Sequence, residues 1–406
     1  MGARPLVAWL VVAIFLQTVL LECSLLLFPF LPLLLVPSCH ARNLFSRIAE
    51  FGQASWLGLA VSCLRFVLGV PIYLRTRGQL PSLAGRDVLV ASNHPTRIDW
   101  LFLWALPISL GRLPGLKIVL KEVLRKAPGF GWAMQCATYA FLTRGNRETD
   151  LATVDKVCFL GSQHPLLLLL FPEGTDLSDE NLARSHKHSE EKGLPKYHQV
   201  LHPRTAGFAA ALKSLAEAAR SSGMAPPVLL DVTMAYEDFV PGELPNEKKV
   251  FGQGRICKAV YIVVEAVEYL TSESESVPKE AEAAQLCVDL WAKKEERLSR
   301  FYAPCQLEGR RSGGGVPDQS ALSFQVSRIW EDCPGAKGRI FASFMVALGC
   351  ELVAGYLFYV LPIYVVLLFF GTACGSFLMI QRLCGGIDLV ILRHAQKYPD
   401  TSRKRA

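Results

Sequence analysis

Between Pro5 and Pro37 the chain reads LVAWLVVAIFLQTVLLECSLLLFPFLPLLLV, a run almost unbroken in apolar residues. No other feature limits the possible folds as sharply. Inside a bilayer every backbone N–H and C=O must be satisfied within the chain itself, so a run of this kind has to be helical. The apolar core of a signal peptide is about 7–15 residues, and a single span needs roughly 20. This run exceeds both. Pro29 and Pro32 are expected to bend it, as a tilted helix or a re-entrant pair. A second apolar run, Ser55 to Leu74, carries Arg65 near its middle. A lone arginine at mid-bilayer costs about 2.5 kcal/mol or more, so this segment reads as partly interfacial or packed against a partner. A third, Phe341 to Ile380, is about twice a span long with Pro362 near its centre. It is expected to form two antiparallel helices turning near Leu361-Pro362, with a partner for Glu351 inside the bundle.

The bulk composition agrees with a membrane protein. Charged residues make up 19% of the 406, against about 25% in soluble domains. The net charge is +7, yet no basic cluster is interleaved with aromatics. The excess Lys and Arg therefore point to anionic lipid or acidic substrates, and nucleic acid is not expected as a partner. Of twelve cysteines, Cys23, Cys63, Cys350 and Cys374 lie inside apolar runs, and neither CxxC nor HExxH occurs. A disulfide framework and a zinc cluster are both unsupported, and no metal is expected. Reduced thiols on a cytosol-accessible membrane protein fit this pattern.

From Asp87 to about Tyr302 the texture changes. Short β-rich runs (DVLVAS, KIVLK, YAFLT, LLLLLF, PVLLDVTMAY, AVYIVVEAVEY) alternate with helix-like stretches such as Asp150 to Gly161 and Ala206 to Ser221. Such alternation reads as an α/β layer with a largely buried sheet. Leu166 to Phe171, flanked by prolines, has the length of a central strand buried on both faces. After Cys305 the polar stretch EGRRSGGGVPDQS reads as a linker or loop.

Chemistry concentrates in three places. NHPTRIDW, Asn93 to Trp100, follows a strand and puts an aspartate five residues after a histidine. A histidine carries a proton near neutral pH, and a carboxylate can fix its tautomer. Read alone, the stretch is more simply a turn closed by Asn93 and Pro95, with Asp99 as a helix-start charge. FPEGTDLS, Phe171 to Ser178, offers backbone N–H groups and a hydroxyl at a strand end, where α/β folds bind ligands. FLTRGN places Arg144 just past another strand, and arginine grips phosphate with paired hydrogen bonds. His186 and His188 lack the further ligands of a metal site and read as solvated surface. The stretch PGFGWAMQ is too rich in glycine for a good helix interior and reads as a tight turn or a place where an acyl chain passes the backbone.

Taken in order, NHxxxxD, an arginine past a strand end and FPEGT resemble the glycerolipid (acylglycerol-phosphate) acyltransferase family. The stretches NHPTRIDWLFLW, KEVLRKAPGFGWAMQ, FPEGTDLS and KYHQVLHPRTAGF are most similar to its lysocardiolipin acyltransferase branch. The likeness is strong over roughly Val90 to Tyr236. It departs at Glu237, where the family carries a proline after a strand.

The resemblance implies a glycerol-3-phosphate acyltransferase-type α/β catalytic layer with N- and C-terminal transmembrane helices. On that basis the chain divides into membrane segments (1–80), a catalytic domain (81–305), a linker (306–340), a transmembrane hairpin (341–380) and a polar tail (381–406). It further implies His94 as general base, Asp99 as its orienting partner, and Arg144, Glu173, Gly174 and Thr175 around the acceptor's phosphate. No cofactor is implied beyond acyl-CoA as co-substrate. The acceptor is expected to be an anionic lysophospholipid: lysocardiolipin, lysophosphatidylglycerol or lysophosphatidate. The endoplasmic reticulum, with the site facing the cytosol, is the implied location. A thioester is already activated, and no GxSxG elbow is present, so deprotonation of a hydroxyl is the main chemical task. A CoA-independent transacylase and a non-catalytic lipid-binding protein are the rival readings.

Overall fold

Consecutive apolar residues with no alternation leave no face for water, so a sheet built from them must be covered on both sides. The computed structural model describes residues 3–143, 145–161, 165–237, 249–250, 253, 257–270, 277–307, 318, 320, 325–328 and 335–400. Among these, eight strands form one sheet: β1 (Ile72–Arg77), β2 (Val88–Ser92), β3 (Leu116–Lys121), β4 (Ala140–Leu142), β5 (Leu167–Leu170), β6 (Val228–Tyr236), β7 (Val260–Val267) and β8 (Gln325–Arg328). Every residue of β2, β5 and β6 is buried.

The strand order is β4-β3-β5-β2-β6-β7-β1-β8. Strands β4 through β6 are parallel, β7 turns antiparallel to β6, and β1 runs parallel to β7 with β8 antiparallel on the outside. Val88 stands opposite Leu167 on one side and Val228 on the other. That register brings the carboxyl ends of β2, β5 and β6 together at one edge, where α/β sheets hold their ligands.

Alternate residues divide the core in two. Val88 and Val90 face one layer while Leu89 and Ala91 face the other. The first layer holds α1 (Ala3–Glu22), α2 (Cys39–Ser62), α3 (Asp99–Leu103), α4 (Ala105–Ser109), α5 (Phe130–Cys136) and, later in the chain, the helix Ile387–Lys397. The second is built from α6 (Arg147–Gly161), α8 (Thr205–Ser221) and α9 (Glu280–Leu307), with α7 (Asp179–Lys192) between β5 and α8 in sequence. In α8 the buried residues Phe208, Ala211, Leu212, Leu215, Ala216 and Ala219 recur at helical spacing, one stripe turned to the sheet.

Charge also fixes α9. Lys294 is wholly buried; its Nζ pairs with Asp231 of β6 and donates to the Val232 carbonyl at 2.6 Å. Beside it Arg297 donates to Thr233 Oγ1 at 2.9 Å and pairs with Glu265 at 3.2 Å. Buried ions are tolerated only when paired and hydrogen-bonded, so these contacts allow α9 one register on the sheet.

Three helical runs are long and apolar enough to cross a membrane: Val12–Leu35, Ala336–Val360 and Ile363–Cys384. They mark an integral membrane protein. The first changes from α-helix to a π turn at Cys23–Leu27 and to 3-10 geometry over Phe28–Leu35, the stretch that contains Pro29 and Pro32. The other two, α10 (Ala336–Val360) and α11 (Ile363–Cys384), meet at Leu361-Pro362 and precede α12 (Ile387–Lys397). Glu351 of α10 accepts hydrogen bonds from Gln17 at 2.8 Å and Thr18 at 3.3 Å of the first run.

Of the two readings of the run Ser55 to Leu74, packing against the rest of the protein describes most of its apolar side chains, while Phe66 is exposed. The run is the end of α2, a π turn at Cys63–Val67 that contains Arg65, and the start of β1. Its apolar side chains, Trp56, Leu57, Val61, Leu64, Ile72 and Leu74, fill the protein's own core rather than facing lipid. PGFGWAMQ is helical over α5, where Gly131 lies so close to the preceding turn that a Cβ would stand 2.5 Å from the Arg125 carbonyl. The stretch EGRRSGGGVPDQS lies outside the described residues except at 318 and 320.

Candidate active site

The end of β2 is fastened before the chemistry begins. Asn93 donates from Nδ2 to the Met234 carbonyl at 3.1 Å and accepts the Met234 N–H on Oδ1 at 2.7 Å. This double bridge locks β2 to β6, and the next residue, His94, is carried to a fixed place at the sheet edge. Asp99 opens α3 and is wholly buried. Its Oδ2 accepts His94 Nδ1 at 3.0 Å and the Thr96 N–H at 2.9 Å, while Oδ1 accepts the Tyr236 hydroxyl. Burial pushes the Asp99 carboxyl up, and its hydrogen bonds to His94, Tyr236 and Thr96 oppose that rise. With a carboxylate at Nδ1, the proton resides there and the Nε2 lone pair is free to accept another. The imidazole stacks on Phe171 at 4.4 Å between centroids.

His94 opens onto a cavity of about 830 Å³. Its lining includes the apolar side chains of Trp56, Trp100, Trp104, Leu124, Phe130 and Met134. It also includes Arg97, Lys121, Arg147, Asp150, Thr175, Asp176 and Arg204. Arg97 is tied to Asp176 at 3.5 Å and Arg147 to Glu280 at 3.9 Å. One cavity thus offers apolar surface for an acyl chain, cations for an anionic group, and a base in its wall.

The corner after β5 supplies the far wall. Gly174 has a φ of 73°, and a Cβ there would stand 3.3 Å from Arg204 Cδ, so glycine lets the arginine cross the corner. Thr175 lines the cavity and accepts from Asn181 Nδ2 at 3.0 Å. Glu173, expected to line the phosphate site, is turned away from the cavity and almost fully buried. Its Oε1 accepts the His94 N–H and the Trp291 indole N–H, both at 3.1 Å, and its Oε2 accepts the Leu201 N–H at 3.2 Å. Burial pushes its carboxyl up to about 7. A carboxylate with three N–H donors is a bracket, and it ties the two motifs to α9. Arg144 lies outside the described residues.

A model of the acyltransferase family matches residues 73–221. Lysocardiolipin acyltransferase 1 of Gallus gallus is 32% identical over 98% of this chain and 98% of its own. The chain belongs to the acyltransferase family. It is an acyltransferase of the lysophospholipid and acylglycerol-phosphate type. Lysophosphatidylinositol acyltransferase 10 of Caenorhabditis elegans is 29% identical over 66% of this chain and 65% of its own. The crystal structure of the 1-acyl-sn-glycerophosphate acyltransferase PlsC from Thermotoga maritima is 17% identical, covers 73% of this chain and 98% of its own, and has a TM-score of 0.41.

For this acyltransferase, sequence reasoning missed Asn93 as a bridge, Tyr236 and Trp291. Tyr236 stands in VTMAY, a stretch that drew notice only for the Glu237 that follows. Glu237 is not in the cavity wall: its N–H donates to the Ala259 carbonyl at 2.9 Å and its carboxylate accepts the Tyr261 hydroxyl at 2.8 Å, holding β6 to β7. Trp291 carried no sequence signal at all. His186 and His188 come close to His198 and His202, with ring centroids 5.0 and 6.2 Å apart, but no group among the described residues could hold a metal.

Proposed function

We propose that this acyltransferase moves an acyl group from acyl-CoA to the free hydroxyl of an anionic lysophospholipid. The observation that carries the reading is the His94–Asp99 pair, 3.0 Å apart, with His94 in the wall of a cavity lined by both apolar and cationic side chains. His94 Nε2 takes the proton of the attacking hydroxyl as that oxygen bonds to the thioester carbon. Asp99 steadies the imidazolium that results, and the proton then passes to the departing CoA thiolate. General base catalysis supplies roughly 10²–10⁴-fold, and positioning of the two lipids beside each other supplies much of the rest.

Support for an anionic acceptor comes from the cavity, where Arg204 crosses the Gly174 corner and Arg97 and Arg147 also line the wall. Charge in a partly dehydrated cleft favours an anionic headgroup over a zwitterionic one. The relatives named for lysocardiolipin and lysophosphatidylinositol fit the same preference. Acyl-CoA is water-soluble, so the catalytic layer is assigned to the cytosolic face, and the endoplasmic reticulum is the membrane the family resemblance favours.

The test is acyl transfer by the purified full chain with radiolabelled oleoyl-CoA and a panel of lysolipids, with His94→Ala as the control. Transfer to monolysocardiolipin, lysophosphatidylglycerol, lysophosphatidylinositol or lysophosphatidate in preference to lysophosphatidylcholine is expected, lost at least a hundredfold with His94→Ala. A preference for lysophosphatidylcholine would sink the anionic acceptor, and transfer from a labelled phospholipid with no acyl-CoA present would move the protein to the transacylases.

A further inference from the structure

Asp99 is sealed from water, and its carboxylate must find every partner within the protein. Oδ2 is shared by His94 Nδ1 at 3.0 Å and the Thr96 N–H at 2.9 Å. Oδ1 receives the hydroxyl of Tyr236, the last residue of β6 and itself wholly buried. We propose that Tyr236 is a positioning residue of the reaction: its hydroxyl holds the second oxygen of Asp99 and sets how strongly His94 holds a proton. The proposal rests on His94 being the base.

Three observations support a tuned contact over simple filling of space. First, the ring is fixed in place. The Tyr236 N–H donates to the Tyr302 hydroxyl at 3.0 Å, and Phe102 meets the ring edge-on at 5.7 Å. Second, the distance to His94 is built in twice, because Asn93 bridges to Met234 in both directions, two residues before the tyrosine. Third, the phenol stays protonated: burial and the Asp99 charge hold it well above its ordinary range, so it donates.

The physical consequence follows from charge sharing. A carboxylate whose charge is drawn partly onto a phenol O–H attracts an imidazolium less than one left bare. Removing the hydroxyl concentrates the charge toward His94 and makes it the stronger base, so more of the enzyme carries the proton before the substrate arrives. Among the described residues, the charged groups that share the cavity lining with His94 are Arg97, Lys121, Arg147, Asp150, Asp176 and Arg204, and Glu173 accepts its N–H. None of them is altered by a change at 236.

The test is the pH dependence of kcat/KM for the full chain in lipid nanodiscs, with wild type, Tyr236→Phe, and 3,5-difluorotyrosine incorporated at 236. The Phe variant is expected to raise the midpoint of the acid limb by about one pH unit, the size of one lost charge-assisted hydrogen bond. Its rate below the limb falls about tenfold and recovers at high pH, with KM for both substrates within about twofold of wild type. Difluorotyrosine, a more acidic donor of similar shape, moves the midpoint the other way. It also carries the test alone if the Phe variant does not fold. A loss equal at every pH, or a limb unmoved by either variant, overturns the proposal while leaving the base reading intact. Activity retained by His94→Ala overturns the base reading itself, and this proposal with it.

Discussion

Asp99→Asn is the substitution whose outcome the geometry constrains most closely. An asparagine offers one acceptor oxygen where the carboxylate offers two. Oδ2 faces two N–H donors, from His94 and Thr96, whereas Oδ1 faces a hydroxyl that can turn to accept. The amide oxygen is therefore held on the histidine side and the NH2 points at Tyr236. The imidazole keeps its tautomer, and what is lost is charge. Two unit charges 3.0 Å apart at an effective dielectric of 20 interact by about 5 kcal/mol. The neutral amide oxygen still binds the imidazolium and retains about half of that, leaving a loss of about 3 kcal/mol, or roughly a hundredfold in kcat. Single-turnover transfer from radiolabelled oleoyl-CoA measures the chemical step, and thermal denaturation confirms that the variant is folded. A loss under about fivefold would show that the carboxylate charge is idle. A loss beyond about 10⁴-fold would mean that the tautomer had flipped, contrary to the Thr96 argument.

Glu173→Gln leaves the Leu201 N–H facing an amide NH2, so a stability loss of about 1–3 kcal/mol is expected, with KM for both substrates near wild type. A large rise in the lysophospholipid KM would instead return Glu173 to the acceptor site. The same carboxyl is raised from 4.5 to about 7 by burial, so its share of stability is full below 4.5 and lost as pH rises through 7. The thermal midpoint of wild type relative to Glu173→Gln should accordingly decline across that window and level off above it. Lysine keeps the charge of arginine but cannot make its paired hydrogen bonds, so on the proposed acceptor role Arg144→Lys is expected to raise KM for the lysophospholipid more than for acyl-CoA; an effect confined to acyl-CoA would place it at the donor. Lys294→Met strips Asp231 of its nearest cation and should destabilise the fold by about 3–5 kcal/mol, read by thermal denaturation.

The central sheet was legible because its strands are short apolar runs bounded by turn residues, Leu167–Leu170 above all. β1 was hidden because Ile72–Arg77 continues an apolar helix without a break in hydropathy, and the sheet core and lipid select the same residues. β8 reads QVSR, with a single apolar residue and therefore no apolar run to mark it as a strand. At the site, a histidine at a strand end with a carboxylate five residues onward can be read locally. Whether Glu173 turns inward or outward cannot, because a carboxylate in a corner looks alike until its donors are known. Two of those donors come from Leu201 and Trp291, and one of Asp99's comes from Tyr236, all three remote in sequence.

The bracket on Glu173 also imposes an order in time. Its tie to Trp291 spans 118 residues of chain, and the clasp between Arg42 and the Tyr398 carbonyl spans 356. At the usual pace of synthesis α9 emerges about 6–24 s after the corner it must hold. Through that interval the first apolar helix is already being handed to the membrane, while a carboxyl destined for burial has one of its donors still unmade. A ribosome that stalls before α9 thus leaves a membrane-bound chain whose two motifs can meet through His94 and Glu173 but lack the Trp291 tie that fastens them to the second layer.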